Sequence, residues 1–135
     1  MSPKRASLIV LFAVSALSAA SASALSAEAC NPNQPLSGAK LFADHCAACH
    51  GAAATGGRTP SGTPAPDLTA LKRQSNGVFP ASRVAEIIRY GGALPDHSIN
   101  PQMPTWAKIF AAECGPTYSR RVVVELMKHV EDIQK

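Results

Sequence analysis

Towards the C-terminus Val123, Leu126, Met127, Val130 and Ile133 recur at the i, i+3, i+4, i+7 spacing of a helix with one apolar face, and Ser119 is placed to open it. Near the other end, Leu41 and Phe42, then His45 and Cys46, fall on one side of a helix that Ser37 can cap and that runs to about Cys46. Val84, Ile87 and Ile88 share a face over Arg83 to Tyr90, a helix that Ser82 would open and Gly91-Gly92 would end. Asp67 can cap a short helical turn from Leu68 to Gln74, and Thr105 a short helix carrying Trp106 and Phe110. The stretches Gly51 to Pro66 and Ala93 to Pro104 are rich in Gly or Pro and lack apolar periodicity, so they read as long loops. No period-2 run of β-branched residues and no internal repeat occurs. The pattern predicts an all-α fold of short helices and long loops.

Composition makes that fold hard to close. The 135 residues, 46% hydrophobic and 16% charged, suffice for one modest domain, which excludes a multidomain enzyme. Aromatic residues are only 5% of the chain, against 11 Pro and 9 Gly. Short helices with so few large rings do not enclose a core alone, and a buried prosthetic group is one way to fill it.

The formal charge of +4 invites a nucleic-acid or membrane reading, but its location weakens both. Lys4 and Arg5 precede the apolar run Leu8 to Val14 and a Ser/Ala stretch, with no charge from Ala6 to Ala27. This is the layout of a secretory signal peptide over residues 1–27, with cleavage between Ala24 and Ala29, leaving residues 28–135 as the exported domain. An uncleaved anchor on the outer face of the inner membrane is the alternative, although the Ser/Ala half is weakly apolar for a span. Cleavage removes two bases and no acid from residues 1–27, leaving 11 basic against 9 acidic residues. Beyond Lys72-Arg73 and Arg120-Arg121 no basic run remains, so no nucleic-acid partner is expected. The mature chain is expected to carry no membrane span, and the address is the periplasm.

Cys46-Ala47-Ala48-Cys49-His50 is C-x-x-C-H, the attachment signature of a c-type haem. Two thiols three residues apart can each meet one vinyl group of a porphyrin edge, and the next residue brings an imidazole to the iron. A thioredoxin-type dithiol would want a preceding strand in a βαβ pattern, and a zinc site a second Cys/His pair at ligand spacing. Neither is present. For the sixth iron position, Met103 between Pro101 and Pro104 is the natural candidate; Met127 sits on the apolar stripe and reads as core. A thioether ligand favours ferrous iron and raises the potential. His97 in the same loop and His129 on the last helix compete, whereas His45 lies too near the tether.

These segments resemble a known family. Gly38-Ala39-Lys40-Leu41-Phe42 before Cys46-Ala47-Ala48-Cys49-His50-Gly51, then Pro66-Asp67-Leu68-Thr69, Met103-Pro104-Thr105-Trp106 and a C-terminal amphipathic helix look like a class I monohaem cytochrome c. The resemblance implies a cytochrome c fold in which the first and last helices cross behind a crevice holding one haem c. His50 would be the proximal iron ligand, Met103 the distal one, and Cys46 and Cys49 the thioether tethers. It implies that a carbonyl matching Pro66 accepts a hydrogen bond from the proximal imidazole and that Trp106 lies near a propionate. Ala107 stands where similar sequences often carry glycine. Arg58 is a candidate partner for the other propionate.

The function implied is periplasmic one-electron transfer between larger redox proteins that dock at the haem edge. The chain would be a monomer and not an enzyme, with no catalytic residues. A dedicated cytochrome subunit of an exported dehydrogenase or oxidase is the alternative, and a haem-based ligand sensor or peroxidase a third. Cys30 and Cys114 are not needed for haem attachment. In an exported protein they would most simply form one disulfide, closing a loop of roughly 80 residues for about 4 kcal/mol. Lipid attachment at Cys30 and free thiols remain the other readings.

Overall fold

The structure, a computed structural model, describes residues 30–96 and 98–135. The expected signal peptide and His97 lie outside the described residues. The chain divides after Asn31 into a second compact unit, Pro32–Lys135. Its order is α1 (Gly38–His45), α2 (Ala47–His50), β1 (Gly57–Arg58), β2 (Pro64–Ala65), α3 (Leu71–Gln74), α4 (Ala81–Tyr90), a 3-10 turn (Gly91–Ala93) and α5 (Trp106–Asp132). Short helices dominate, as the pattern predicts.

Ser37 opens α1 as expected, its Oγ accepting from the Lys40 N–H at 3.2 Å. Leu41 and Phe42 are the buried pair of α1, and they face α5. The close approach depends on Gly38, where a Cβ would overlap the Glu125 carbonyl oxygen and the His129 Cβ. One turn later the Phe42 ring meets the His129 imidazole at 5.3 Å between centroids. The first and last helices therefore cross in contact, as the resemblance implies.

Three element boundaries differ from expectation. The loop 51–66 contains a two-residue antiparallel ladder, Gly57 against Ala65 and Arg58 against Pro64. Its strands are largely exposed and too short to show a period, which is why no sequence pattern announces them. Helix α4 starts at Ala81 behind Pro80, with no side-chain cap, so Ser82 is inside the helix rather than opening it. Pro80 supplies a fixed φ there instead of a hydrogen bond. Likewise α3 is only Leu71–Gln74, because the Asp67 carboxylate is spent on an Asx turn, accepting from the Thr69 N–H at 2.8 Å and its hydroxyl at 2.7 Å.

The last helix is the largest correction. Thr105 does not cap it; its hydroxyl donates to the Tyr90 carbonyl at 3.1 Å. The break between the two expected helices falls at Gly115 and Pro116, before Ser119, with Gly115 at φ 82°. Glycine accepts the left-handed conformation that ends one helix, and proline suits the first position of the next. The bend is sharp: the Ser119 hydroxyl donates to the Ala107 carbonyl at 2.8 Å, although a straight helix would separate these residues by about 18 Å. Ser119 is thus a buried clip between the two halves.

The core is Leu41, Phe42, Val84, Ile88, Phe110, Val122, Val123, Leu126 and Val130, with Ala54 from the loop after α2. Of the expected stripe on the last helix, Val123, Leu126 and Val130 are buried, and Met127 and Ile133 pack against the core from its edge. Among the described residues no helix is long and apolar enough to cross a membrane.

Because a methyl group at Gly38 would push against backbone, Gly38→Ala is expected to destabilise the folded protein by about 2 kcal/mol. Denaturant titration should show a lower midpoint at an unchanged slope. A midpoint equal to wild type would show that α1 can slide without loss.

Candidate functional site

The end of α1 passes directly into the C-x-x-C-H segment. The Cys46 N–H donates to the Phe42 carbonyl at 2.8 Å, and α2 adds one further turn ending at Gly51, φ 78°. A left-handed residue is needed there, and Gly51 turns the chain back so that the Gly56 N–H reaches the His50 carbonyl at 3.0 Å. Gly57 packs so close to Cys49 that a Cβ would overlap the Cys49 carbonyl oxygen. The β1–β2 hairpin is thereby seated on α2, and the chain leaving β2 carries Pro66 to His50. The His50 Nδ1–H donates to the Pro66 carbonyl oxygen at 3.1 Å. A carbonyl cannot donate, so in the neutral ring the proton sits on Nδ1 and the lone pair on Nε2.

Cys46, Cys49, His50, Pro66, Met103 and Trp106 all line one cavity of about 660 Å³. Phe42, Leu68, Val84, Ile88, Leu126 and Val130 give it apolar walls. A cavity of this size and polarity belongs to the class that takes cofactors. Burial, then the neighbouring Cys49, pushes the Cys46 thiol up to about 11. Redox-active dithiols work through a lowered thiol pKa, and the Cys46 thiol is shifted the other way. The free thiols among the described residues are these two.

Other candidates fall elsewhere. His129 packs on Phe42 at the helix crossing and does not line the cavity. Arg58 donates to the Gly62 carbonyl at 2.7 Å, within its own hairpin. His45 lines the cavity but stands edge-on to Trp106 and Phe110, at 5.5 and 5.1 Å between centroids.

The loop that carries Met103 is held by features the periodicity did not reveal. Asn100 starts a β-turn, with Pro101 second and the Met103 N–H donating to the Asn100 carbonyl at 2.9 Å. The dipeptide Asn100-Pro101 is the sequence signal that could have found it. Gly91 and Gly92 do more than end α4. A Cβ on Gly91 would overlap the carbonyl oxygens of Met103 and Pro104, and one on Gly92 would overlap Pro101. The Gly92 N–H donates to the Met103 carbonyl at 2.9 Å. Further back, Arg83 bonds Glu86 at 2.6 Å and Asp96 at 2.7 Å and also donates to the Ser98 hydroxyl, joining α4 to the loop.

With this geometry in hand, the comparison with known proteins is direct. The family model described as cytochrome C oxidase, cbb3-type, subunit III matches residues 33–116, more than half of the chain. The chain belongs to this family of c-type cytochromes. Haem-based electron transfer is the activity that goes with it. No curated protein and no solved structure matches the chain. For this cytochrome, two thiols and an imidazole with a free Nε2 on the wall of one apolar cavity fit a covalently held haem.

Asp96 gives the cytochrome an acid-sensitive contact. The Ser98 N–H, then the Ser98 hydroxyl, then Arg83 lower its carboxyl from 3.8 to about 2. A depressed carboxylate stabilises the fold above its unfolded pKa and loses that contribution as pH falls through the folded one. Stability should therefore drop between about pH 4 and pH 2 in part through this loop. Asp96→Asn should flatten that part of the pH profile in thermal unfolding; an unchanged profile would remove Asp96 from the acid response.

Proposed function

We propose that the chain is an exported, monomeric carrier of single electrons, with one haem c per chain and no enzymatic turnover. The observation that carries the reading is the His50 ring, whose Nδ1–H is committed to Pro66 while Nε2 is free beside two thiols on an apolar cavity wall. In this reading Cys46 and Cys49 form the thioether tethers, His50 is the proximal iron ligand and Met103 the distal one. The haem would supply a one-electron Fe(III)/Fe(II) couple. The Pro66 carbonyl orients His50 and raises the basicity of the ligating nitrogen. Gly92 and Asn100 hold the Met103 backbone, and the apolar walls exclude water from the iron. Trp106 completes the wall of the haem crevice, with a propionate as its neighbour in this reading.

Export to the periplasm is supported by the basic, then apolar, then Ser/Ala order of residues 1–27. A disulfide between Cys30 and Cys114 belongs to the same reading and suits an oxidising compartment. The partners would be larger redox proteins that dock weakly and transiently at the haem edge. A second reading is favoured by the description of the matched family, a subunit of an oxidase: the chain would then be a permanent cytochrome subunit of such a complex. Size exclusion of a native extract separates the two, since a free carrier elutes near its own mass.

Met103→Ala is expected to change the near-infrared ligand-field spectrum and lower the reduction potential; a variant with the wild-type spectrum would remove Met103 as ligand. Replacing both Cys46 and Cys49 by Ala is expected to abolish haem that survives denaturing electrophoresis. It should also cost most of the thermal stability, because the cavity is the centre of the core. Covalent haem in that variant would overturn the tether assignment.

A further inference from the structure

The tip of the β1–β2 hairpin and the residue before Met103 are joined by a compact polar network. The Thr59 hydroxyl donates to Gln102 Oε1 at 2.6 Å, and the Ser61 hydroxyl donates to the same oxygen at 2.7 Å. Each hydroxyl has one proton, so both protons are committed to Gln102. Their oxygens remain acceptors: the Thr63 N–H donates to Thr59 Oγ1 at 3.2 Å, and the Thr63 hydroxyl can donate to Ser61 Oγ, also at 3.2 Å. The donors are fixed by the hairpin itself, whose Thr59 N–H bonds the Thr63 carbonyl at 2.8 Å. On the other side, the Gln102 N–H donates to Asn100 Oδ1 at 2.9 Å, within the turn that ends at Met103.

This contact spans the cavity between two chain segments far apart in sequence. Thr59 and Pro64 line it from the hairpin that leads to Pro66, and Gln102 and Met103 line it from the opposing loop. We propose that Thr59, Ser61 and Gln102 form a clasp that keeps the Met103 loop closed, so that Gln102 is a positioning residue limiting displacement of Met103 by small exogenous ligands. The inference rests on the assignment of Met103 as distal ligand and adds what holds that ligand in place. Both bonds end on one exposed side chain, so losing Gln102 releases the loop at a single step. An incoming ligand reacts only with the open fraction of the loop, and its binding rate rises with that fraction.

The test uses the reduced holoprotein, with carbon monoxide as probe. Gln102→Ala is expected to raise the carbon monoxide association rate about tenfold, the size expected from losing two exposed neutral hydrogen bonds. Gln102→Glu keeps an acceptor oxygen and should behave as wild type, which a loss of packing alone would not predict. The double variant Thr59→Val, Ser61→Ala removes the donors from the hairpin side and should reproduce Gln102→Ala. Combining all three changes should add nothing further. An unchanged rate in Gln102→Ala, a fast rate in Gln102→Glu, or additive effects in the combined variant would each overturn the clasp. Met103→Ala, measured in parallel, separates the levels: a wild-type spectrum there overturns the ligand assignment and the clasp together. A changed spectrum there with an unmoved Gln102→Ala rate overturns the clasp alone.

Discussion

The crossing of α1 over the C-terminal half of α5 is the contact on which the site depends. Gly38 lets the two backbones meet at Glu125, and Phe42 packs on His129 one turn later. Because Cys46 continues α1 through a backbone bond to Phe42, fixing α1 also fixes where Cys46, Cys49 and His50 stand. The same α5 supplies Leu126 and Val130 to the cavity wall. One helix pair therefore registers the C-x-x-C-H segment against the rest of the core. Packing of this kind is stiff, since a displaced helix would lose many close contacts at once.

The two sides of the cavity are held by different physics. The side of His50 is built on helix packing, two close-packed glycines and a backbone acceptor from Pro66. The side of Met103 combines the buried Leu94 and the close approach of Gly91 and Gly92 with polar contacts: Gly92 to Met103, Thr105 to Tyr90, Arg83 to Asp96, and Gln102 to the hairpin hydroxyls. Exposed neutral hydrogen bonds contribute about 1 kcal/mol each, and exposed ion pairs less.

The candidate site residues were legible where their signal is local, and the structure brings Cys46, Cys49, His50 and Met103 to the wall of one cavity. The five consecutive residues Cys46 to His50 carry their chemistry in their spacing, and Met103 stood out as the methionine in a loop outside the apolar stripe. The apolar stripes of α1, α4 and α5 were legible for the same reason, since a period of 3.6 is a property of a short window. What misled was capping. Ser82, Thr105 and Ser119 have the residue type of a cap, but Pro80 and the Gly115-Pro116 break set the boundaries expected at Ser82 and Ser119, and the hydroxyls of Thr105 and Ser119 went to distant carbonyls. Nothing within a window distinguishes a hydroxyl that caps from one that clips two segments together.

The sequence by itself determined an all-α chain, a c-type haem motif and the residues able to ligate iron, because helix period and motif spacing are written in neighbouring positions. Only the tertiary structure decided how closely glycines bring the Met103 turn to α4 and that Gln102 meets Thr59 and Ser61. Those contacts join residues of different elements, and their partners are selected by how the chain packs rather than by any local pattern. Few aromatics and long loops looked at first like a weak core. The fold instead leaves an apolar cavity of about 660 Å³ lined by its helices and loops.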